Sequence, residues 1–349
     1  MQPTASPTRG VLLVGSVPLA NAEEVFRAVS AALGDRLRRI PDGETGARLD
    51  WFVWQVARFE ACSQLEAAPA AARGYRTLPK FRLRAGVDPA SIDFGRLGYA
   101  DAAKASYETF ARLQREGAVP RGVRFQVCLP SPLAPASAFS EPESLPAIAP
   151  AYEAALLREL DEIAAAIPQE ALAIQWDVAV EFSTLDGLGP PPTPEVKQAI
   201  LDRLVRVGNR VPHAVELGYH LCYGDYGHKH FKEPTDTGVL VEVANAIAGG
   251  LTHPLTWLHL PVPRDRDDEA YFAPLRGLRL SPATELYLGL VHHTDGVAGT
   301  RRRLATAERI VPREFGIATE CGFGRRPPET IPELLRIHAA VARGAADGS

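Results

Sequence analysis

The stretch "VELGYHLCYGD" (215–225) decides the fold: an apolar run that finishes on a histidine and a cysteine two residues apart. Side chains alternate along a β-strand, so His220 and Cys222 belong to one face. A run that starts apolar and ends reactive has the form of a barrel strand, because barrel chemistry gathers at C-terminal strand ends. Seven other runs share this form: "GVLLVGS" (10–16), "RRIPDGE" (38–44), "GVRFQVCL" (122–129), "LAIQWDVA" (172–179), "PLTWLHLP" (254–261), "TELYLGLVH" (284–292) and "FGIATECG" (315–322). Helical periodicity predicts helices over 21–33, 49–60, 101–116, 150–166, 194–208, 237–248, 301–310 and 332–343. Asn21 and Thr237 suit N-caps, and Pro332 suits a first helical turn.

Strands alternating with helices predict a single α/β domain over 1–349, a (β/α)8 TIM barrel. The barrel spans about 10–345, with a flexible N-terminus at about 1–9. The Pro/Ala/Gly-rich segments 61–100 and 130–149 read as long βα loops. A doubly wound open sheet is the alternative.

Composition narrows the function. The chain has 349 residues, 46% of them hydrophobic, enough for a large core. A net charge of −4 provides no basic field for nucleic acid. The opening "MQPTASPTRG" lacks an apolar signal core, and no run reaches transmembrane length, so neither export nor a membrane is expected. Cys62, Cys128, Cys222 and Cys321 lie too far apart to read as a disulfide framework. A cytoplasmic setting is expected, where thiols stay available as metal ligands.

The strand ends carry Ser16, Glu44, Ser131, Asp177, His220 with Cys222, His259, His292 with His293, and Cys321. Two thiolates and an imidazole match the tetrahedral preference of Zn2+, so His220, Cys222 and Cys321 are the candidate metal ligands. The plainer reading is a buried cysteine pair and a core histidine. For the fourth ligand the expectation is His259, which ends the strand between the two cysteine-bearing ones. Glu242 competes but sits in a helical pattern, His253 starts its strand at the opposite face, and His228 and His230 read as a solvated loop.

Ser16, Glu44 and Asp177 form a second group, suited to a substrate ammonium or, for the carboxylates, to acid–base work. The alternative is loop capping, with Asp42 shaping the "PDGETG" turn and Glu44 paired with Arg48. "LVHHTDG" (290–296) offers His292 or His293 for proton transfer near neutral pH. The cationic stretches 262–268 and 324–326 read as solvated loops or as an anchor for a substrate anion. Trp51, Trp54 and Trp257 read as packing.

These residues resemble a known family. "LVGSVP" (13–18), "DGETGARLDWF" (42–52), "IQWDVAV" (174–180), "GYHLCYGD" (218–225) and "TECGFGRR" (319–326) resemble, in order, segments of the catalytic barrel of cobalamin-independent methionine synthase, within the group that includes uroporphyrinogen decarboxylase. The resemblance runs over roughly 11–343 and implies a zinc bound by His220, Cys222 and Cys321. It also implies amino-acid contacts at Ser16, Glu44 and Asp177, and a proton-donating histidine near 292–293. The departures are specific. The family's glutamate ligand falls at His259, the usual Asp-Glu-Pro is Asp177-Val178-Ala179, and the folate-stacking aromatic has no clear match in 130–140. The expected activity is zinc-dependent methyl or alkyl transfer to a small-molecule thiol from a folate, corrinoid or other electrophile. The alternatives are a decarboxylase or lyase of the same group, and a non-enzymatic zinc- or corrinoid-binding module.

Overall fold

The computed structural model describes residues 10–68, 78–187, 189–225 and 229–343. The expected flexible terminus at 1–9 and His228 lie outside these. Its centre is a curled parallel sheet of seven strands, in the spatial order β1 (Arg39–Pro41), β4 (Arg124–Pro130), β5 (Leu172–Val178), β6 (Glu216–Leu221), β7 (Leu255–Pro261), β8 (Glu285–Val291) and β9 (Gly316–Thr319). The two remaining strands, β2 (Leu65–Ala67) and β3 (Phe81–Leu83), pair antiparallel within the segment expected to be a loop.

Eight regular strands were expected, and the run at 10–16 is the exception. Val11 bridges Leu37 on one side and Ile317 on the other. Its amide donates to Arg36 O at 3.0 Å, and the Leu12 amide donates to Ile317 O at 3.0 Å. This segment therefore spans the gap between the sheet edges without itself being a regular strand.

Strict alternation sorts the side chains. On β5, Ala173, Gln175 and Asp177 share the inner face, while Leu172, Ile174, Trp176 and Val178 face the helices; all seven are buried. That two-sided burial is what a parallel sheet covered by helices requires. Most of the apolar core lies between strands and helices, where fully burying one large apolar side chain contributes roughly 1.5–3 kcal/mol. A separate cluster of Leu12, Val14, Ala173, Trp257, Tyr287 and Ala318 fills the interior. Trp257 closes over Gly218, where an added Cβ would lie 1.9 Å from the indole, and the β6–β7 register shifts at Leu217/Gly218.

Most helices fall where periodicity placed them. Asn21 caps Ala22–Leu33 by accepting from the Glu24 amide. Pro332 lies in the first turn of Ile331–Ala342. Thr237 precedes Gly238–Gly250, but its hydroxyl donates to Tyr271 O instead of capping the helix. The helix expected over 49–60 is broken into the 3-10 turns Gly46–Asp50 and Val53–Gln55 and the short helix Val56–Ala61. Trp51 interrupts it at φ 50°, a conformation no α-helix accommodates.

Candidate functional site

Register sets the level of each inner side chain. Asp177 pairs with His220 and His220 with His259, so the three form one layer across β5, β6 and β7. Cys222 stands two residues further toward the rim, and Cys321 follows β9. Ligand atoms of His220, Cys222 and Cys321 all lie within 4.8 Å of one another, with the two sulfurs 3.9 Å apart and unbonded. Among the described residues this is the one His/Cys/Asp/Glu group of that compactness. His220 is 3% exposed, and its Nε2 has no hydrogen-bond partner. The Cys222 thiol is held well below its ordinary pKa, chiefly by contact with Cys321 and further by His220; Cys321 is pushed well above its own by the same contact and by burial. One of the two sulfurs is thus poised to be a thiolate.

His259 stands apart from this group, contrary to the expectation of a fourth ligand. Its Nδ1 is 2.7 Å from His220 Nδ1, and its Nε2 is 3.0 Å from Thr319 O. The physical reason is register: the β7 residue level with Cys222 is Pro261, which offers no ligand. The other candidates are also placed elsewhere. Glu242 is on a helix and pairs with Lys197, while His253 bonds the carbonyls of Pro254 and Pro212.

Above the sulfurs opens a cavity of about 440 Å³, whose wall includes Ser16, Glu44, Asp177, His220, Cys222 and Cys321. Glu44 reaches it through a strained turn. Gly43 has φ 78°, Glu44 itself φ 47°, and the Glu44 amide donates to Asp42 Oδ1 at 2.8 Å. A non-glycine residue held in this region costs of order 1–3 kcal/mol, a strain that tends to collect at functional sites. Arg48 forms its ion pair with Asp42, and its charge also favours the ionised form of Glu44. Burial, then repulsion from Asp177, pushes the Glu44 carboxyl up to about 8. Burial likewise raises Asp177 to about 7, although His220 and a 2.9 Å hydrogen bond from Gln175 act the other way. Ser16 Oγ accepts from the Gly324 amide at 3.2 Å and so ties the first segment to the loop after Cys321.

Neither histidine of 292–293 lines the cavity. His292 is buried, with Nε2 2.9 Å from Val262 O and Nδ1 3.8 Å from Glu320, and burial lowers it to about 4. His293 is half-buried.

Several contributors escaped the sequence reading. Gln175 donates to Val14 O and Asp177 and accepts from Trp257 Nε1, fixing the floor of the cavity; its position two before Asp177 was the available signal. His230, read as solvated, has a 3% exposed side chain 3.5 Å from Glu320. Trp51, Phe52, Phe231 and Lys80 line the cavity. Arg325, from the 324–326 stretch read as a solvated loop or an anion anchor, lines it too, donating to Asp225 O and lying 3.6 Å from the Asp225 carboxylate.

No family model matches the chain, and no curated protein matches it. Solved structures do. The B12-independent methionine synthase from Shewanella sp. W3-18-1, in complex with selenomethionine, superposes with a TM-score of 0.66 over 97% of both chains at 16% identity. The fold is that of a B12-independent methionine synthase. A Listeria monocytogenes structure, described as a putative vitamin-B12 independent methionine synthase, gives a TM-score of 0.58 at 17% identity, over 97% of this chain and 98% of the other. At these identities the methionine synthase likeness is one of architecture. No helix among the described residues is long and apolar enough to cross a membrane.

Proposed function

We propose that this chain is a single-domain zinc enzyme that transfers a methyl or alkyl group to the sulfur of a small thiol. The observation that carries the reading is the convergence of His220, Cys222 and Cys321 at the floor of a cavity walled by two carboxylic acids. Two thiolates on a tetrahedral zinc, at Zn–S of about 2.3 Å, sit about 3.8 Å apart. The sulfurs here are separated by 3.9 Å, and the orphaned His220 Nε2 supplies an imidazole donor. A zinc held by His220, Cys222 and Cys321 would supply Lewis acidity that lowers the pKa of a substrate thiol.

The chain's own groups do the rest. Glu44 and Asp177 bind the substrate's ammonium group, which favours their ionised forms and relieves their mutual repulsion. Arg325, anchored by Asp225, receives the substrate's carboxylate, and Ser16 holds the loop that carries Cys321. Attack of the sulfur lone pair on the donor's alkyl carbon forms the C–S bond while the donor's leaving group departs with its electron pair. His292 and His293 do not reach the cavity, so neither is assigned to the leaving group. The alkyl donor is an electrophile of the folate, corrinoid or related class.

The test is metal analysis with a thiol titration of the cobalt-substituted protein. One zinc per chain is expected, lost in Cys222→Ser or Cys321→Ser, together with a thiol-dependent change in the cobalt spectrum. An amino-acid thiol should bind better than an uncharged thiol of equal size. The raised carboxyls favour a second reading, a decarboxylase or lyase in which one of them delivers a proton. Equal binding of both thiols supports that alternative.

A further inference from the structure

We infer that His259 is a positioning residue that fixes the tautomer of His220, leaving the fourth zinc position to the substrate. The inference rests on the zinc reading above and concerns one further residue. A carbonyl oxygen only accepts, so the 3.0 Å contact with Thr319 O puts a proton on His259 Nε2. In a neutral imidazole the other nitrogen then carries the lone pair. His259 Nδ1 therefore accepts, and His220 Nδ1, 2.7 Å away, donates. That leaves the lone pair of His220 on Nε2, the buried atom without a hydrogen-bond partner and the one free to bind a metal.

The chain of hydrogen bonds from Thr319 O through His259 to His220 thus selects a ligand nitrogen before any metal arrives. His259 is fully buried, and its ring lies 4.7 Å from that of His220, so packing holds the orientation as well. Both nitrogens of His259 are occupied and Pro261 fills the level of Cys222, so β7 supplies no ligand. The donor set is two sulfurs and one nitrogen. Three protein ligands with the fourth position open is the pattern of catalytic zinc, and the three residues that would hold it line one cavity with Glu44 and Asp177.

The experiment uses zinc-loaded full-length protein and His259→Leu and His259→Asn variants. X-ray absorption should count two sulfurs and one imidazole in the wild type. Competition with a chromophoric chelator should show zinc affinity falling about 10–100-fold in His259→Leu, the range for losing an outer-shell partner. His259→Asn should recover most of it, because Asn Oδ1 stands where the accepting Nδ1 stood, which a space-filling role does not explain. Two imidazoles in the wild type overturn the inference, as does unchanged affinity in His259→Leu. The wild-type count stands even where the Leu variant does not fold. Wild-type protein that takes up no zinc overturns the zinc reading itself, and the wild-type arm alone reports that result.

Discussion

Replacing Glu44 by Gln should stabilise the protein at alkaline pH while disabling its cavity. The Glu44 carboxyl is 9% exposed, and burial with Asp177 beside it raises its pKa from 4.5 to about 8. A carboxyl raised in the fold lends stability that is complete below its unfolded pKa and is lost as pH climbs through the folded one. The fold should therefore weaken between about pH 4.5 and 8. At about 1.4 kcal/mol for each tenfold change in acidity, the rise caps the loss at roughly 5 kcal/mol. A buried Gln brings its own amide, which costs about 1–3 kcal/mol where partners are lacking. The net gain at pH 8.5 should be about 2–4 kcal/mol, turning into a loss of about 1–3 kcal/mol near pH 4.5, where only the cost of the buried amide remains. The assay is urea denaturation of wild type and Glu44→Gln across pH 4.5–9, with binding of an amino-acid thiol measured in parallel. A variant less stable than wild type at pH 8.5, or a gain that does not change with pH, would falsify the assignment of Glu44 as a buried carboxyl held for a ligand.

Gly218→Ala must push aside the buried Trp257 indole and should cost about 3 kcal/mol, the upper part of the overpacking range, read from the urea midpoint; an unchanged midpoint refutes the packing. Arg303 is 1% exposed and donates to Leu290 O, Arg264 O and both oxygens of Asp295. Arg303→Met strands those acceptors and should lower stability by roughly 3–5 kcal/mol in the same assay. In Gly15→Ala the new Cβ meets Glu44 Oε2 at 3.1 Å and Cys128 Sγ at 3.3 Å. Displacing that carboxylate should weaken amino-thiol binding about tenfold by calorimetry, about 1.4 kcal/mol, with the fold retained.

Much of the site was legible because strand alternation is strict. His220, Cys222, Asp177 and Cys321 were assigned to one rim from strand ends alone, and they share one cavity. Alternation says which face a side chain takes but not how high it stands. His259 was correctly placed inside yet misjudged by one layer, because the pairing His220 with His259 appears only in the register. Turns were the other blind spot. The positive φ of Trp51 breaks a helical pattern that periodicity favoured, and Glu44 is lifted into the cavity by an Asp42–Gly43 turn whose strain no pattern discloses. The β2–β3 pair was hidden by three-residue strands too short to show a period.

The bridge at Val11 also sets an order of events. Ser16 and Gly324 touch across 308 positions, and Val11 needs Ile317 as its partner. Contacts that distant form late, because a long loop must close before they repay its entropy. At about 5–20 residues per second on the ribosome, the first segment waits on the order of tens of seconds for the last strand to be made. Throughout that interval its apolar "VLLV" (11–14) has no berth, and chaperone capture or mispairing is the hazard. Cys222 waits about a third as long for Cys321, 99 positions further on. The meeting of the two thiols therefore reports that β6 and the end of β9 have come together, and thiol reactivity followed during refolding would serve as a clock for that late step.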